Sequence, residues 1–299
     1  MQRKLFFIVM LLIVTFFWGV TFPIIKVALD YISPAPFLSI RFALASAMML
    51  IFVKKSHNLL KPDNIKYGLI AGFLLFLGYF FQTVGLDYTT AAASGVITGL
   101  YVILLPIISF LYLKNKITRV DVLASGTAFF GLILLSYSPS GGFGNKIGDI
   151  LTLLCAVVYA IQIVYVSKYS KSLDSYSFTF YQLFAVSIFS GLMIPFMPGN
   201  LFTLNDYVVF AIVFTAIFGS VFAYYVSTIA LKFVDPTTAG VIFVGEPVFA
   251  AITSVLFLHE ILGKFVIIGS VIMVGSILGI TVERYVRERK SEHLPQELP

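Results

Sequence analysis

The sequence predicts an all-α membrane protein of ten transmembrane helices, arranged as two inverted five-helix repeats. Three observations predict it: an apolar composition, charge-free runs of membrane length, and an internal match at constant offset. Of 299 residues, 59% are hydrophobic and 11% charged, with a mean hydropathy of +0.99. A soluble domain carries about 45–50% apolar and about 25% charged residues, so a water-soluble globule is excluded. The net charge of +6 invites a nucleic-acid reading, but its distribution along the chain assigns it to membrane topology instead.

A spanning helix needs roughly 20 mostly apolar residues. The first run, Leu5–Ile25, follows Arg3 and Lys4. It exceeds a signal-peptide core and no small-x-small cleavage site follows it, so it is expected to be a retained helix. A second run, around Pro36–Val53, is interrupted by Arg41 alone. Charge-free runs continue at Tyr67–Leu86, Tyr88–Leu113 and Val122–Asn145, then at Ile150–Ser167, Ser175–Asn205 and Tyr207–Leu231. The ninth, around Thr238–Leu258, contains Glu246, and the tenth is Phe265–Val282. None has the strict alternation of a membrane barrel strand, and backbone in lipid must be satisfied within helices.

Lys and Arg mark cytoplasmic segments. With both termini inside, sixteen of them fall on inner segments and three, Lys26, Lys146 and Lys264, on outer ones; Arg41 lies within a span. The tail 285–299 reads as a short cytoplasmic end.

Tyr79–Ile97 and Tyr224–Ile242 align without a gap at an offset of 145, with six identities in 19 positions. These include Tyr79/Tyr224, Thr83/Thr228 and Leu86/Leu231. At an offset of 141, Trp18 pairs with Tyr159, Thr21 with Gln162, Phe37 with Phe178 and Arg41 with Gln182. The chain therefore divides into halves at 1–143 and 144–284. Five helices per half is odd, so the second half enters the membrane in the opposite sense, and a solute site is expected near the midplane between the halves.

The 5+5 pattern, Trp18-Gly19 followed by Pro23, and the small-residue stretch Ala91–Gly95 resemble the EamA family of the drug/metabolite transporter superfamily. So does Gly245-Glu246-Pro247-Val248-Phe249-Ala250-Ala251 followed by His259-Glu260. The resemblance covers nearly the whole chain. It implies an exporter of amino acids or related amphipathic metabolites in the bacterial cytoplasmic membrane, working by alternating access. The first repeat departs from the second, with Tyr101 in place of Glu246 and Lys114-Asn115 in place of His259-Glu260.

Glu246 is the leading candidate residue. It is expected about eight residues into its helix, roughly 12 Å deep at 1.5 Å per residue. Buried membrane carboxylates are costly and mark ion or substrate paths. Glu246 is thus read either as a proton-coupling or amine-binding group, or as a structural acceptor beside the Pro247 kink. Arg41 is expected to snorkel, to form an ion pair, or to hold a substrate carboxylate. Lys26 reads as an outer anchor or a carboxylate contact. Trp18, Thr21, Tyr79, Gln82, Tyr101, Tyr159, Gln162, Tyr224 and Tyr225 form a polar and aromatic set that suits a small amphipathic solute. Pro23, Pro106 and Pro247 fall inside spans and are candidate hinges.

Enzyme signatures are weak. His57, His259 and His293 lie in loops or tails, and His259-Glu260 lacks the second ligand at i+4, where Gly263 stands. Cys155 is the sole cysteine, so no disulfide forms and no cysteine metal site is expected. No cofactor is expected; the expected partners are a small solute, the lipid bilayer and protons, without nucleic acid. Monomer and homodimer both stay open. Efflux of cationic drugs is the alternative within transport, and a membrane-integral enzyme acting on lipid is the alternative outside it.

Overall fold

The computed structural model describes residues 2–53, 58–89, 91–136, 146–197, 202–258 and 263–292. The expected boundary at 143/144, the pair His259-Glu260, Lys54, Lys55, His57 and the end of the tail lie outside them. The described chain is helical throughout its long elements. The first half holds α1 (Gln2–Ala28), α2 (Pro34–Val53), α3 (Pro62–Tyr88), α4 (Ala91–Thr98), α5 (Tyr101–Leu113) and α6 (Arg119–Ser136). The second holds α7 (Lys146–Tyr169), α8 (Ser175–Met193) and α9 (Asp206–Ala216). A π-helical segment, Ile217–Phe222, leads into α10 (Ala223–Ala230), followed by α11 (Pro236–Phe243), α12 (Glu246–Leu258) and α13 (Lys264–Glu292).

Local chemistry sets several of these boundaries. Asp174 accepts from the Ser177 amide at 2.8 Å and starts α8, and Asn205 accepts from Val208 at 2.8 Å to start α9. Asp235 accepts from Thr238 at 2.9 Å with Pro236 in the first turn of α11. Each satisfies an amide that the helix itself leaves unpaired. Thr118 and Asp121 bond reciprocally ahead of α6, the logic of a capping box.

Seven described helices are long and apolar enough to cross a membrane. The other three expected spans fall on α6, on α11–α12 and on α13, whose apolar part Ile267–Glu283 is shorter. Two expected single helices are broken: α4 and α5 part at Gly99–Leu100, and α11 and α12 at Val244–Gly245. Both breaks fall at the same offset of 145 that relates the repeats.

Contacts exchange between the halves. On α3, Gly78 faces the Tyr159 ring and Gly85 faces Thr152 and Gly148, so α3 and α7 run antiparallel. The counterpart pair does the same. Phe7 stacks on Phe233, Phe17 on Phe218, and Tyr207 donates to the Ile24 carbonyl at 3.2 Å. Also antiparallel are α6 and α13: Ser276 donates to the Ala124 carbonyl at 2.7 Å while Gly131 faces Gly269 and Met273. Against α12, α1 packs closely at Gly19, where a Cβ would stand 2.7 Å from the Glu246 carbonyl oxygen.

Candidate functional site

One cavity draws its walls from both halves. It is lined by Trp18, Thr21, Phe22 and Ile25 of α1 and by Tyr79, Gln82, Thr83 and Leu86 of α3. Tyr101 of α5, Tyr159, Gln162 and Ile163 of α7, Tyr224 of α10, Phe243 of α11 and Glu246 of α12 complete it. Between these walls and out through the mouth, the space free of protein atoms is about 620 Å³, open solvent included. It runs from the middle of α1 and α3 towards their C-terminal ends, where Ile25 and Leu86 lie.

Nine of the twelve residues singled out from the sequence line this cavity, because helical spacing stacks 18, 21, 22 and 25, and again 79, 82, 83 and 86, on one face. Their polar atoms are partly engaged with one another. Trp18 Nε1 donates to the Gly219 carbonyl at 3.0 Å, a carbonyl inside the π-helical segment. Tyr224 Oη donates to Tyr79 Oη at 3.0 Å. These two tyrosines are repeat partners, so the hydroxyls meet where the halves meet. Gln82 donates to Thr98 Oγ1 at 3.2 Å and accepts from Tyr159 Oη at 3.4 Å. Gln162 donates to Gln182 Oε1 at 3.1 Å, and Gln182 donates in turn to Thr228 at 3.3 Å. Trp18 packs edge-on to Phe243 and tilted to Tyr224.

Glu246 stands at the first turn of α12, after the Val244–Gly245 break, rather than deep inside a continuous helix. The composition of the run does not betray the break, which is why counting from its start placed the residue mid-helix. Its side chain is buried, and among the described residues its carboxyl makes no hydrogen bond or ion pair. Tyr79, Tyr101, Tyr159, Tyr224 and Cys155 lie within electrostatic reach of it. Its repeat partner Tyr101 opens α5 in the same way. Pro247 follows Glu246 in the first turn, where its missing N–H removes no helical bond. Pro23 and Pro106 do lie inside helices.

Three candidates lie elsewhere. Lys26 Nζ donates to the carbonyls of Leu86 at 2.7 Å and Asp87 at 3.2 Å, so it closes the C-terminus of α3 just beyond the cavity. Tyr225 stacks on Tyr176 with ring centroids 4.8 Å apart, away from the cavity lining. Arg41 does not snorkel, and among the described residues it forms no ion pair. It has 0% exposure; its Nε donates to Ser220 Oγ at 3.0 Å and its Nη2 to Tyr79 Oη at 3.5 Å. The cause is the rotation of α2, which points residue 41 inward between α3 and the π-helical segment.

Phe22, Ile25, Thr83, Leu86, Ile163 and Phe243 also line the cavity without having been singled out. Thr83 and Leu86 were visible as repeat identities. The apolar four carry no signal that separates a cavity wall from a core.

A family model described as the EamA-like transporter family matches residues 5–137 and 146–282. An uncharacterized transporter of Archaeoglobus fulgidus is 39% identical over 271 residues, covering 89% of this chain and 84% of that protein. The uncharacterized transporter YyaM of Bacillus subtilis is 29% identical over 285 residues, covering 90% and 92%. A crystal structure with 18% sequence identity superposes with a TM-score of 0.76, covering 92% of this chain and 96% of the other. That last likeness concerns the fold alone.

Proposed function

The chain belongs to the EamA-like transporter family, and from that membership we propose a secondary transporter that exports small metabolites by alternating access. The proposed solutes are amino acids or related amphipathic compounds, the proposed location is the bacterial cytoplasmic membrane, and the proposed topology is ten spans with both termini cytoplasmic. The observation that carries this reading is the cavity itself. Its walls come from both repeats and from the two broken helices, the place where transporters with inverted repeats hold their solutes. The antiparallel runs of α3 against α7 and of α6 against α13 support inversion of the second half. A lining of Trp18, Tyr79, Tyr101, Tyr159, Tyr224 and Phe243 favours a solute with an apolar or aromatic body.

Coupling is assigned to Glu246. A carboxyl that faces the cavity and holds no partner among the described residues can exchange a proton with whichever side the cavity opens to, and release or receive a solute amine. The same free carboxyl inside an aromatic cavity favours cationic drugs as the second reading.

The test is solute flux in proteoliposomes under an imposed pH gradient, with amino acids, aromatic amines, nucleobases, short carboxylates and a cationic dye. Gradient-dependent flux of amino acids is the expected result. Flux of the dye alone would move the assignment to drug efflux. A chemically altered product would contradict transport and favour an enzyme.

A further inference from the structure

Arg41 is a buried cation without a counter-ion among the described residues. Its guanidinium sits 5.0 Å from the ring centroids of both Phe42 and Tyr79, and Nη1 has no hydrogen-bond partner. Among the described residues no carboxylate pairs with it. Removing a charge from water without such a partner is expensive, and two ring faces with the neutral hydroxyls of Ser220 and Tyr79 offset only part of the cost. Packing does not demand the charge either. At the equivalent place in the other repeat stands Gln182, also fully buried, and there a neutral amide bridges Gln162 and Thr228.

The charge has one outlet towards the cavity. Tyr79 Oη accepts from Arg41 Nη2 and from Tyr224 Oη, so both of its lone-pair positions are engaged and its own hydrogen remains to be donated. Tyr79 lines the cavity, whereas Arg41 does not. A phenol polarised by a cation behind it is a strong donor to an anion. From another wall, the carboxyl of Glu246 faces the same space. The cavity is therefore dipolar, with a cation-backed donor on α3 and an acid on α12.

We propose that the Tyr79–Arg41 pair recognises the carboxylate of the solute, with Tyr79 donating the hydrogen bond and Arg41, behind it, supplying the counter-charge. Arg41 is then a positioning residue that sets specificity through Tyr79, and the preferred solute carries a carboxylate as well as an amine. Arg41 as the single fully buried cation among the described residues also disfavours polyanions. This assignment rests on the reading of the cavity as the transport site.

Trp18 is the only tryptophan of the chain and lines the cavity, so its emission reports occupancy directly. The purified full-length protein is titrated with phenylalanine, 2-phenylethylamine and 3-phenylpropanoate, with excitation selective for tryptophan. Wild type is expected to bind phenylalanine about ten- to a hundredfold more tightly than 2-phenylethylamine, the range of one hydrogen bond to a charged group. In Arg41→Gln, which copies the side chain of the other repeat, and in Tyr79→Phe, that ratio should collapse towards one, the loss falling on phenylalanine. Arg41→Lys, which keeps the charge, should restore part of the ratio. A ratio preserved in both Arg41→Gln and Tyr79→Phe, or equal weakening of both ligands, would overturn the assignment while leaving transport intact. If none of the three compounds changes the emission of wild type, the reading of the cavity as a site for amphipathic solutes fails, and this assignment falls with it.

Discussion

Arg41 and its repeat partner Gln182 show how a single position changes meaning with its neighbours. Both are fully buried on corresponding helices, yet one is a cation bonded to Ser220 and Tyr79 and the other an amide between Gln162 and Thr228. The sequence identified the pairing of the two positions but not the environment. Whether an arginine five residues into a span reaches the interface depends on helix rotation, which hydropathy does not encode. Ser220→Ala removes the acceptor of Arg41 Nε and should destabilise the protein by about 1–3 kcal/mol, the cost of an unsatisfied buried group; thermal unfolding in detergent measures it. The Tyr159 ring lies directly against Gly78, and a Cβ there would overlap it. Gly78→Val is expected to displace that ring and to cost about 1–3 kcal/mol by overpacking. Unchanged unfolding with unchanged Trp18 emission would count against this packing.

At the scale of elements, the interruptions matter more than the helices. The breaks at Gly99–Leu100 and Val244–Gly245 present Tyr101 and Glu246 at the starts of α5 and α12, and the Ile217–Phe222 segment presents Gly219 and Ser220 to Trp18 and Arg41. Hydropathy reads across all three, because breaking a helix inside an apolar run changes hydrogen bonding without changing composition. Only the repeat match hinted at a shared device, by aligning Tyr101 with Glu246. A π-helical turn holds one residue more than the α-helix around it. Deleting Val221 removes that extra residue and should convert the wide turn to an α-helical one, taking the Gly219 carbonyl away from Trp18 and Ser220 away from Arg41. The expected outcome is a folded helical protein that has lost the Trp18–Gly219 bond and solute-dependent Trp18 emission; retained binding would show the segment to be incidental. Lys26, expected from sequence to anchor the chain or touch solute, instead bonds the last carbonyls of α3. Lys26→Met should therefore lower stability by about 0.3–1 kcal/mol, the worth of a cation at a helix C-terminus, and equally with and without solute.

The whole molecule follows a two-repeat architecture whose helices pack mainly across the repeats, with α3 on α7, α1 on α9–α10, and α6 on α13. The helical class and the two-repeat order were readable from charge-free runs and the constant offset, since both depend only on composition and spacing. Which faces turn inward was readable only where polar and aromatic residues recur at helical intervals, as with 18, 21 and 79, 82. The apolar wall of Ile25, Phe22 and Ile163 was not. On the proposed topology, which puts sixteen Lys and Arg inside and three outside, the mouth beside Ile25 and Leu86 faces outward. Ile25→Cys in intact cells should react with a membrane-impermeant thiol reagent added outside, and solute should slow the reaction. The native Cys155 is buried and should stay silent. Labelling of Ile25→Cys only in inverted vesicles would reverse the topology.

Most direct for the central claim is solute flux driven by a pH gradient in proteoliposomes, compared between wild type and Glu246→Gln at matched protein incorporation. The account predicts gradient-dependent flux in wild type and its loss in Glu246→Gln, with helical content and thermal unfolding retained. Equal flux with equal pH dependence in the two proteins would contradict it, and would return Glu246 to a structural part at the start of α12.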